Sequence, residues 1–268
     1  MARPIQTYTL VDAETAATHG VKVGYPSGFE DLGPCLDALE LSATQATLVV
    51  IGGASGLDEV QRSNVESLFR DVLFPLAEEH QLCVVDGGTD AGVMQLMGRA
   101  RAALAGTFPL VGVAPRSLVQ LPDDSNPNPD GAPLEPNHTH CLLVPGTNWG
   151  DESEALAQVA TLRAGAHPSL TVLVNGGSVT WQEAQISVED GRAVVVMAGS
   201  GRAADTIAAA LQGQSSDDPR LEPLLSSGLL SSLNLTDDPL TLRQALTVHL
   251  LKDTNCHEQT QGLLQRHS

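Results

Sequence analysis

The chain contains few aromatic and few basic side chains. Phe, Trp and Tyr make up 3% of its 268 residues, so the core has to be built mainly from Val, Leu, Ile and Ala, which suit buried parallel strands. Only two lysines are present, Lys22 and Lys252, and the formal net charge is -18. Because no basic stretch could follow a phosphodiester backbone, the composition argues against nucleic acid as a partner.

The cysteines and the apolar runs exclude further classes of protein. The four cysteines lie far apart and form no CxxC pair, which argues against a zinc or redox site. No apolar run is long enough to span a membrane, and the N-terminus shows no basic-then-apolar signal segment. We therefore expect a protein of a reducing, bacterial type of cytoplasm that has no membrane partner.

Short apolar runs that stop at a glycine-rich turn are the main feature of the chain. Five of them are TLVVIGGASG, LCVVDGGTDAG, CLLVPGTNWGD, TVLVNGGSVT and AVVVMAGSGRAAD, and a helical pattern follows each one. A buried strand that ends in glycine and opens a helix is typical of ligand sites in parallel α/β proteins. Since parallel strands end on the same side, we expect all five turns to line one edge of a sheet.

The alternation of strands and helices predicts an α/β fold, a Rossmann-like three-layer sandwich with a mostly parallel central sheet. Six strands are predicted, at about 47–51, 82–85, 109–113, 141–144, 170–174 and 193–197. A helix is expected over 58–79, with a kink or an end at Pro75. We expect one domain over 1–212, with a lead-in over 1–45. Residues 213–268 are expected to form a helical extension that packs on the domain or is partly mobile.

The glycine turns at 52–56 and 86–92 are predicted to hold phosphate through backbone N–H groups. Neither matches GxGxxG or the P-loop pattern GxxxxGK[ST], so ATP hydrolysis of the P-loop type is disfavoured. Arg116 and Arg202 follow strands near this edge and could add charge-assisted bonds. The simpler interpretation is that the glycines only permit tight turns and that the arginines form surface salt bridges, but several such turns on one edge favour a ligand site.

Two polar segments add candidate side chains. EPNHTH places His138 and His140 on one face if it is extended, but a third metal ligand is not evident, so we expect one histidine to pack and the other to face the edge. GTNWGDESE places Asp151, Glu152 and Glu154 at a helix start, where acidic residues either cap the helix or serve ribose binding or catalysis. Four prolines within 125–137 indicate a long irregular loop, which is usually functional or mobile.

The motifs VVIGGASG, GGTDAGVM, LEPNHTHCLLVPGT and GSGRAAD resemble the cytosolic N-terminal homology region of melastatin-type TRP channels. The resemblance covers roughly 47–211 and implies the SLOG superfamily, in its stand-alone prokaryotic branch. It implies a Rossmann-like fold and a nucleotide-derived ligand such as ADP-ribose. Because no membrane-spanning segment follows, we do not expect a channel.

The stretch GGTDAGVMQLMGRARAALAGTFPLVGVAPRSL is also similar to the Lonely-guy phosphoribohydrolases, which hydrolyse the N-glycosidic bond of nucleoside monophosphates. Those enzymes carry PGGxGTxxE, whose glutamate works near the ribose. This chain reads PGTNWGDESE instead, so the resemblance leaves open whether Glu152 or Glu154 takes that role.

Residues and resemblance together predict a ligand site at the carboxyl edge of the sheet. The predicted ligand-binding residues are Gly52, Gly53, Ala54, Ser55, Gly87, Gly88, Thr89, Gly92, Arg116, His138, Gly146, Thr147, Asn148, Asp151, Asn175, Gly176, Gly177, Gly199, Ser200, Gly201 and Arg202. If the protein is an enzyme, Glu152 and Glu154 are the candidate catalytic residues. No metal and no required cofactor are predicted, and the resemblance alone implies a homo-oligomer, most simply a dimer.

The leading hypothesis is a soluble sensor domain that binds ADP-ribose or a related phosphorylated nucleoside. One alternative is an N-glycosidic hydrolase that acts on nucleoside monophosphates or NAD-type nucleotides. The other is an interaction or signalling module without ligand turnover.

Overall fold

A computed structural model describes residues 5–13, 15–53 and 55–264, with side chains as far as Leu251. Ala54, one of the predicted ligand-binding residues, lies outside the described residues. In the described part of the chain, no helix is both long enough and apolar enough to cross a membrane.

The strands alternate with helices along most of the chain. In the described ranges they are β1 (Gln6–Val11), β2 (Thr18–Gly24), β3 (Thr47–Gly52), β4 (Cys83–Asp86), β5 (Leu110–Pro115), β6 (Val119–Gln120), β7 (Ala132–Pro133), β8 (His140–Val144), β9 (Ser169–Val174), β10 (Ala193–Ala198) and β11 (Leu230–Asn234). All except β6 and β7 join one sheet, in the order β1-β2-β8-β5-β4-β3-β9-β10-β11. Only β1 runs antiparallel to its neighbour in this sheet.

Helices cover both faces of the sheet. They are α1 (Leu32–Ala38), α2 (Glu59–Ser67), α3 (Phe74–Glu79), α4 (Gly92–Ala103), α5 (Ser153–Ala164), α6 (Ser178–Glu189), α7 (Arg202–Leu211), α8 (Leu221–Ser226) and α9 (Pro239–Leu264). Leu48 and Val50 of β3 pack in the same cluster as side chains of α2, α3, α4 and α9. Val49 and Ile51 pack with side chains of α1, α5, α6, α7 and α8. The alternation along one strand therefore builds two cores, one on each face.

The structure confirms the predicted α/β class and the mostly parallel central sheet. Each of the six predicted strands is present with its ends within two residues of the prediction. The helix does not end at Pro75, because the chain continues as helix to Glu79, and the predicted kink stays a prediction. A π-helical turn over Leu68–Leu73 joins α2 to α3, and such a wider turn accommodates a proline that cannot donate a hydrogen bond.

The extension predicted after residue 212 contains two helices, α8 and α9, but it also contains a strand that was not predicted. Strand β11 lies between α8 and α9 and pairs in parallel with β10, so this part of the chain extends the sheet. The N-terminal lead-in likewise joins the sheet, since β2 pairs with β8. The boundaries proposed at 45 and 212 therefore do not divide the sheet into separate structural units.

The central strand β3 marks where the winding of the chain changes direction. From β3 the chain proceeds to β4, β5 and β8 on one side, and then returns through α5 to β9, β10 and β11 on the other side. In open α/β sheets, ligands bind outside the carboxyl end of the strands at such a switch point. The switch point lies between β3 and β9, so the fold directs attention to the turns after these two strands and to the adjacent turn after β4.

Candidate functional site

A cavity of about 390 Å³ lies against the carboxyl ends of β3 and β4. Gly52 and Gly87 line it from the strand ends, and the turn before α5 and the first two turns of α6 line it from one face of the sheet. Its side chains include Asp130, Glu152 and Glu183, together with the ring of Trp149. We call it the carboxylate cavity, because the charged side chains that line it are acidic.

A second cavity of about 470 Å³ adjoins the first and has a different charge. Arg62 of α2 and Arg99 of α4 line it, along with Glu66 and the turn after β3. We call it the arginine cavity. Gly52, Ala91 and Met94 line both cavities, so the two form neighbouring parts of one site.

Where the two cavities meet, the backbone conformation at position 52 requires glycine. Its φ is +138°, which side chains rarely adopt, and an added Cβ would overlap the carbonyl oxygen of Val174. The amide of Gly53 donates to the same carbonyl, with N and O 3.1 Å apart. The glycines after β3 thus serve close packing against β9, and the Gly53 amide has a partner within the protein.

Several other predicted anion-binding amides also have partners within the protein. The Gly88 amide donates to Asp86 Oδ1 at 2.8 Å, and the Gly199 amide donates to Asp205 Oδ1 at 2.6 Å. In contrast, the amides of Gly87 and Thr89, which line the carboxylate cavity, have no hydrogen-bond partner within the described residues. Helix α4, which begins directly after this turn, has no side-chain cap at Ala91.

The turn after β8 places Glu152, and not Glu154, at the cavity. Glu152 is 6% exposed, and its Oε2 accepts a hydrogen bond from the Gly150 amide at 2.7 Å. Burial raises the pKa of this carboxyl. Glu154 is exposed on the first turn of α5 and does not line the cavity.

Asp151 organises this turn from its exposed side. Its Oδ2 accepts from the amides of Thr147 and Asn148, at 2.8 and 3.0 Å, and these bonds lower the pKa of Asp151. Gly146 lies against Asp151 as well. Like these residues, Asp151 does not line the carboxylate cavity. Its side chain accepts from amides that precede it in the turn and does not cap α5.

His138 does not face the sheet edge as predicted, but is buried. Its Nε2 lies 2.8 Å from Asp86 Oδ1 and its Nδ1 lies 2.7 Å from Glu135 Oε2. Burial lowers the pKa of His138, but the two carboxylates outweigh burial and raise it. Asn137 joins this group by donating to Asp12 Oδ2 at 2.8 Å. The EPNHTH segment therefore ties β1, β4 and β8 together inside the protein.

The two predicted arginines lie in different places. Arg116 lines a separate cavity of about 590 Å³, where its guanidinium lies 5.3 Å from the ring centre of Tyr25. No glycine lines that cavity. Arg202 remains at the sheet edge, exposed, and donates to Ser55 Oγ at 2.6 Å beside Gly177.

The turns after β9 and β10 are fastened to each other. The Asn175 amide donates to Ser200 Oγ at 2.8 Å, and Asn175 Nδ2 donates to the Ser200 carbonyl at 2.7 Å. Both side chains are buried, and neither lines the carboxylate or the arginine cavity. Gly176, Gly177 and Gly201 belong to the same pair of turns, so this part of the predicted site holds the sheet edge together.

The sequence analysis missed residues that line the two cavities. Arg62, Arg99 and Glu183 lie within helices, at positions that a strand-end search does not reach. Trp149 stands inside the GTNWGD motif, and a lone aromatic residue in a polar turn was the available signal for it. Asp130 comes from the proline-containing loop, which lies against the Gly87–Thr89 turn through a bridge between Thr89 and Leu134.

No group of three or more His, Cys, Asp or Glu in the described ranges is arranged to hold a metal ion. The site instead offers unpaired backbone amides, two arginines, carboxylates and an aromatic ring. A comparison with protein families matches residues 45–244 to the family described as SLOG in TRPM, prokaryote. Since this match covers most of the chain, including β3–β11 and both cavities, the chain belongs to the prokaryotic SLOG family related to TRPM channels.

Proposed function

We propose that the chain binds a phosphorylated nucleoside, such as ADP-ribose or a related nucleotide, across the two cavities. Phosphate would lie at the arginine cavity and the nucleoside in the carboxylate cavity. The observation that carries this proposal is the division of charge within one site, because Gly52, Ala91 and Met94 join a basic half to an acidic half. Membership of the SLOG family supports a nucleotide-related ligand.

The start of α4 provides the chemistry for a phosphate. Gly92 lines the arginine cavity, and no side chain caps this helix. Uncapped amides at a helix N-terminus attract anions, and arginine adds charge-assisted bonds to phosphate oxygens. Arg62 and Arg99 approach from two different helices, which can fix the orientation of the phosphate.

The carboxylate cavity provides the chemistry for a nucleoside. Trp149 is 42% exposed and offers a ring face on which a base can stack. Glu152 and Glu183 can accept hydrogen bonds from ribose hydroxyl groups. Asp130, Gly131 and Ala132 line the cavity from the segment before β8, so a bound nucleoside would contact this segment as well.

Titration calorimetry with ADP-ribose, AMP and ribose 5-phosphate tests this proposal. We expect Arg62→Ala to weaken binding of every phosphorylated ligand by about tenfold or more, as for the loss of a charge-assisted bond. Arg70→Ala is the matched control. Arg70 lies in the π-helical turn that follows α2, is exposed, and forms an ion pair with the adjacent Asp71. Equal effects of the two substitutions, or no binding of any of the ligands, would contradict the proposal.

A second candidate function is hydrolysis of the N-glycosidic bond. Glu152 and Glu183 line one cavity and both have a raised pKa, in each case chiefly because of burial. Two carboxyl groups of this kind can provide a proton for the departing base and stabilise positive charge on the ribose. Release of free base from AMP or NAD that disappears in Glu152→Gln but persists in Glu154→Gln would establish the enzyme. Binding without release of base would exclude the hydrolase and support the binding function.

A further inference from the structure

Glu183 is a carboxyl group without a partner. It lies in the second turn of α6, is partly buried, and lines the carboxylate cavity close to Thr180. Within the described residues, the side chain of Glu183 forms no hydrogen bond and no ion pair. In contrast, the side chain of Glu152 accepts from the Gly150 amide, and that of Asp86 pairs with His138. A group of this kind is available to a ligand and is costly to leave ionised in an empty cavity.

The charged side chains near Glu183 in the described part of the chain are negative. Glu152 acts on it from the start of α5 and Asp86 from the end of β4, while Asp130 lines the same cavity from the loop. Burial, followed by the charges of Glu152 and Asp86, raises the pKa of Glu183 to about 8. His138 offsets the charge of Asp86, and the arginines lie in the adjoining cavity.

We propose that the carboxylate cavity prefers nucleotides whose ring carries a positive charge, and that Glu183 is the residue that determines this preference. The inference rests on the proposed function and names the ring chemistry that the same site would select. A cationic ring would pair with Glu183 and stack on Trp149, because a tryptophan face attracts cations. It would match the negative half of the site, while the phosphate of the same ligand would match the arginine half.

Neutral rings gain less binding free energy from the same arrangement. A neutral base enters beside Glu152 and Glu183 without a charge to offset them, so the cavity keeps its unfavourable potential. Pyridinium nucleotides are the simplest ligands that combine a cationic aromatic ring with a phosphate. Their reduced forms have nearly the same shape and a neutral ring, which isolates the effect of charge.

The experiment compares nicotinamide mononucleotide with its reduced form by calorimetry at pH 8. The wild-type protein should bind the cationic form about tenfold more tightly, as for one paired charge in a partly dry site. Glu183→Gln should bind both forms with similar affinity. Glu189→Gln is the matched control, because Glu189 is exposed at the end of the same helix and should leave the preference unchanged.

The pH dependence provides a second test. A cation favours the ionised form of Glu183, so wild-type affinity for the cationic form should rise between pH 7 and pH 9, as the group with a pKa of about 8 loses its proton. Glu183→Gln should show no such rise. Affinity that falls over this range would mean that Glu183 donates a hydrogen bond as a neutral acid, and this result would overturn the proposal.

The outcomes separate this inference from the function on which it rests. If ribose 5-phosphate and ADP-ribose bind but the two nicotinamide forms bind equally, the inference fails and the proposed function stands. If none of these ligands binds, the proposed function fails. Melting temperatures show whether Glu183→Gln is folded, and if it is not, the wild-type comparison and its pH dependence still decide the question.

Discussion

At the residue scale, two glycines that lie in helices differ in the space around them. Gly98 lies in α4, where an added Cβ would overlap the buried carboxyl group of Glu135. We predict that Gly98→Ala lowers the free energy of unfolding by about 2 kcal/mol or more, since it displaces a buried hydrogen-bonded group. Urea unfolding measures the change.

Gly33 provides the matched comparison for Gly98. It also lies in a helix, α1, but an added Cβ would meet nothing within 4 Å other than its chain neighbours. The gain in helix propensity from Gly33→Ala is offset by Pro34, which disfavours the helical region for a preceding residue with a Cβ, so the free energy of unfolding should change by less than about 1 kcal/mol. An equally small change at Gly98 would show that the overlap with Glu135 is relieved by a small movement.

The buried His138 predicts a dependence of stability on pH. Its carboxylate partners raise its folded pKa from 6.5 to about 10, so the folded protein keeps a proton that the unfolded chain loses. The stabilisation is complete below pH 6.5 and is lost as the pH rises towards 10. The free energy of unfolding should fall over this range in the wild-type protein, and the fall should be smaller in His138→Gln.

If His138→Gln does not fold, the number of protons released on unfolding of the wild-type protein provides the test instead. Replacement of the histidine leaves Asp86 and Glu135 without their charged partner, and such a loss costs about 3–5 kcal/mol. Unfolding of the wild-type protein at pH 8.5 should release a proton from His138, visible by calorimetry in buffers of different ionisation enthalpy. Absence of this release would show that the histidine is neutral in the folded protein.

At the element scale, a capping box fixes where α2 begins. Asp58 Oδ1 accepts from the Gln61 amide at 2.8 Å, and Gln61 Oε1 accepts from the Asp58 amide at 3.1 Å. We predict that Asp58→Ala destabilises the protein by about 1 kcal/mol, whereas Asp58→Asn retains most of the cap. Because α2 carries Arg62, Asp58→Ala should also weaken binding of ribose 5-phosphate. Unchanged stability and unchanged affinity would refute this role.

The elements were predictable where glycine ended a short apolar run rich in valine, because such a run with a glycine boundary favours a buried strand over a helix. Strand β11 was missed because LSSLN is short, half-buried and contains two serines, so its pattern resembles a loop. The sequence could identify only those site residues that lie in the turns directly after strands. The turn after β4 and Glu152 lie at the cavity, but Glu183 reaches it from inside α6, through the packing of helices that a strand-by-strand reading does not determine.

His138 and Arg116 show why side-chain roles were harder to predict than strands. A histidine before a strand can face a ligand or pair with buried carboxylates, and only the approach of β4 decides between them. Arg116 follows β5, which adjoins β4, yet its side chain turns to Tyr25 beside the strands of the lead-in. Both outcomes depend on contacts between residues far apart in sequence.

At the scale of the whole molecule, the segments outside 45–212 are part of the fold. Asp12 accepts a hydrogen bond from Asn137, and β11 extends the sheet at β10. The family match itself continues to residue 244, within α9. The stable unit therefore includes β1, β2, β11 and the first part of α9.

Truncation tests the extent of this unit. Leu242, Leu246 and Leu250 of α9 are each 2% exposed or less and pack against the sheet in the cluster that contains Val50 of β3. Their burial contributes roughly 5–9 kcal/mol, which is comparable with the stability of a whole domain. We predict that a chain ending at Gln212 does not fold, as measured by circular dichroism and size-exclusion chromatography.

A chain ending at Leu251 is the matched control for this truncation. It keeps β11 and all three core leucines of α9, and it should retain the cooperative unfolding of the full chain. Because β10 would lose β11, one of its two parallel neighbours, only in the shorter chain, the difference between the two truncations isolates the contribution of β11, α8 and the packed half of α9. A folded 1–212 chain that still binds ribose 5-phosphate would show that this edge of the sheet is dispensable, and that the site needs only β3, β4 and the helices beside them.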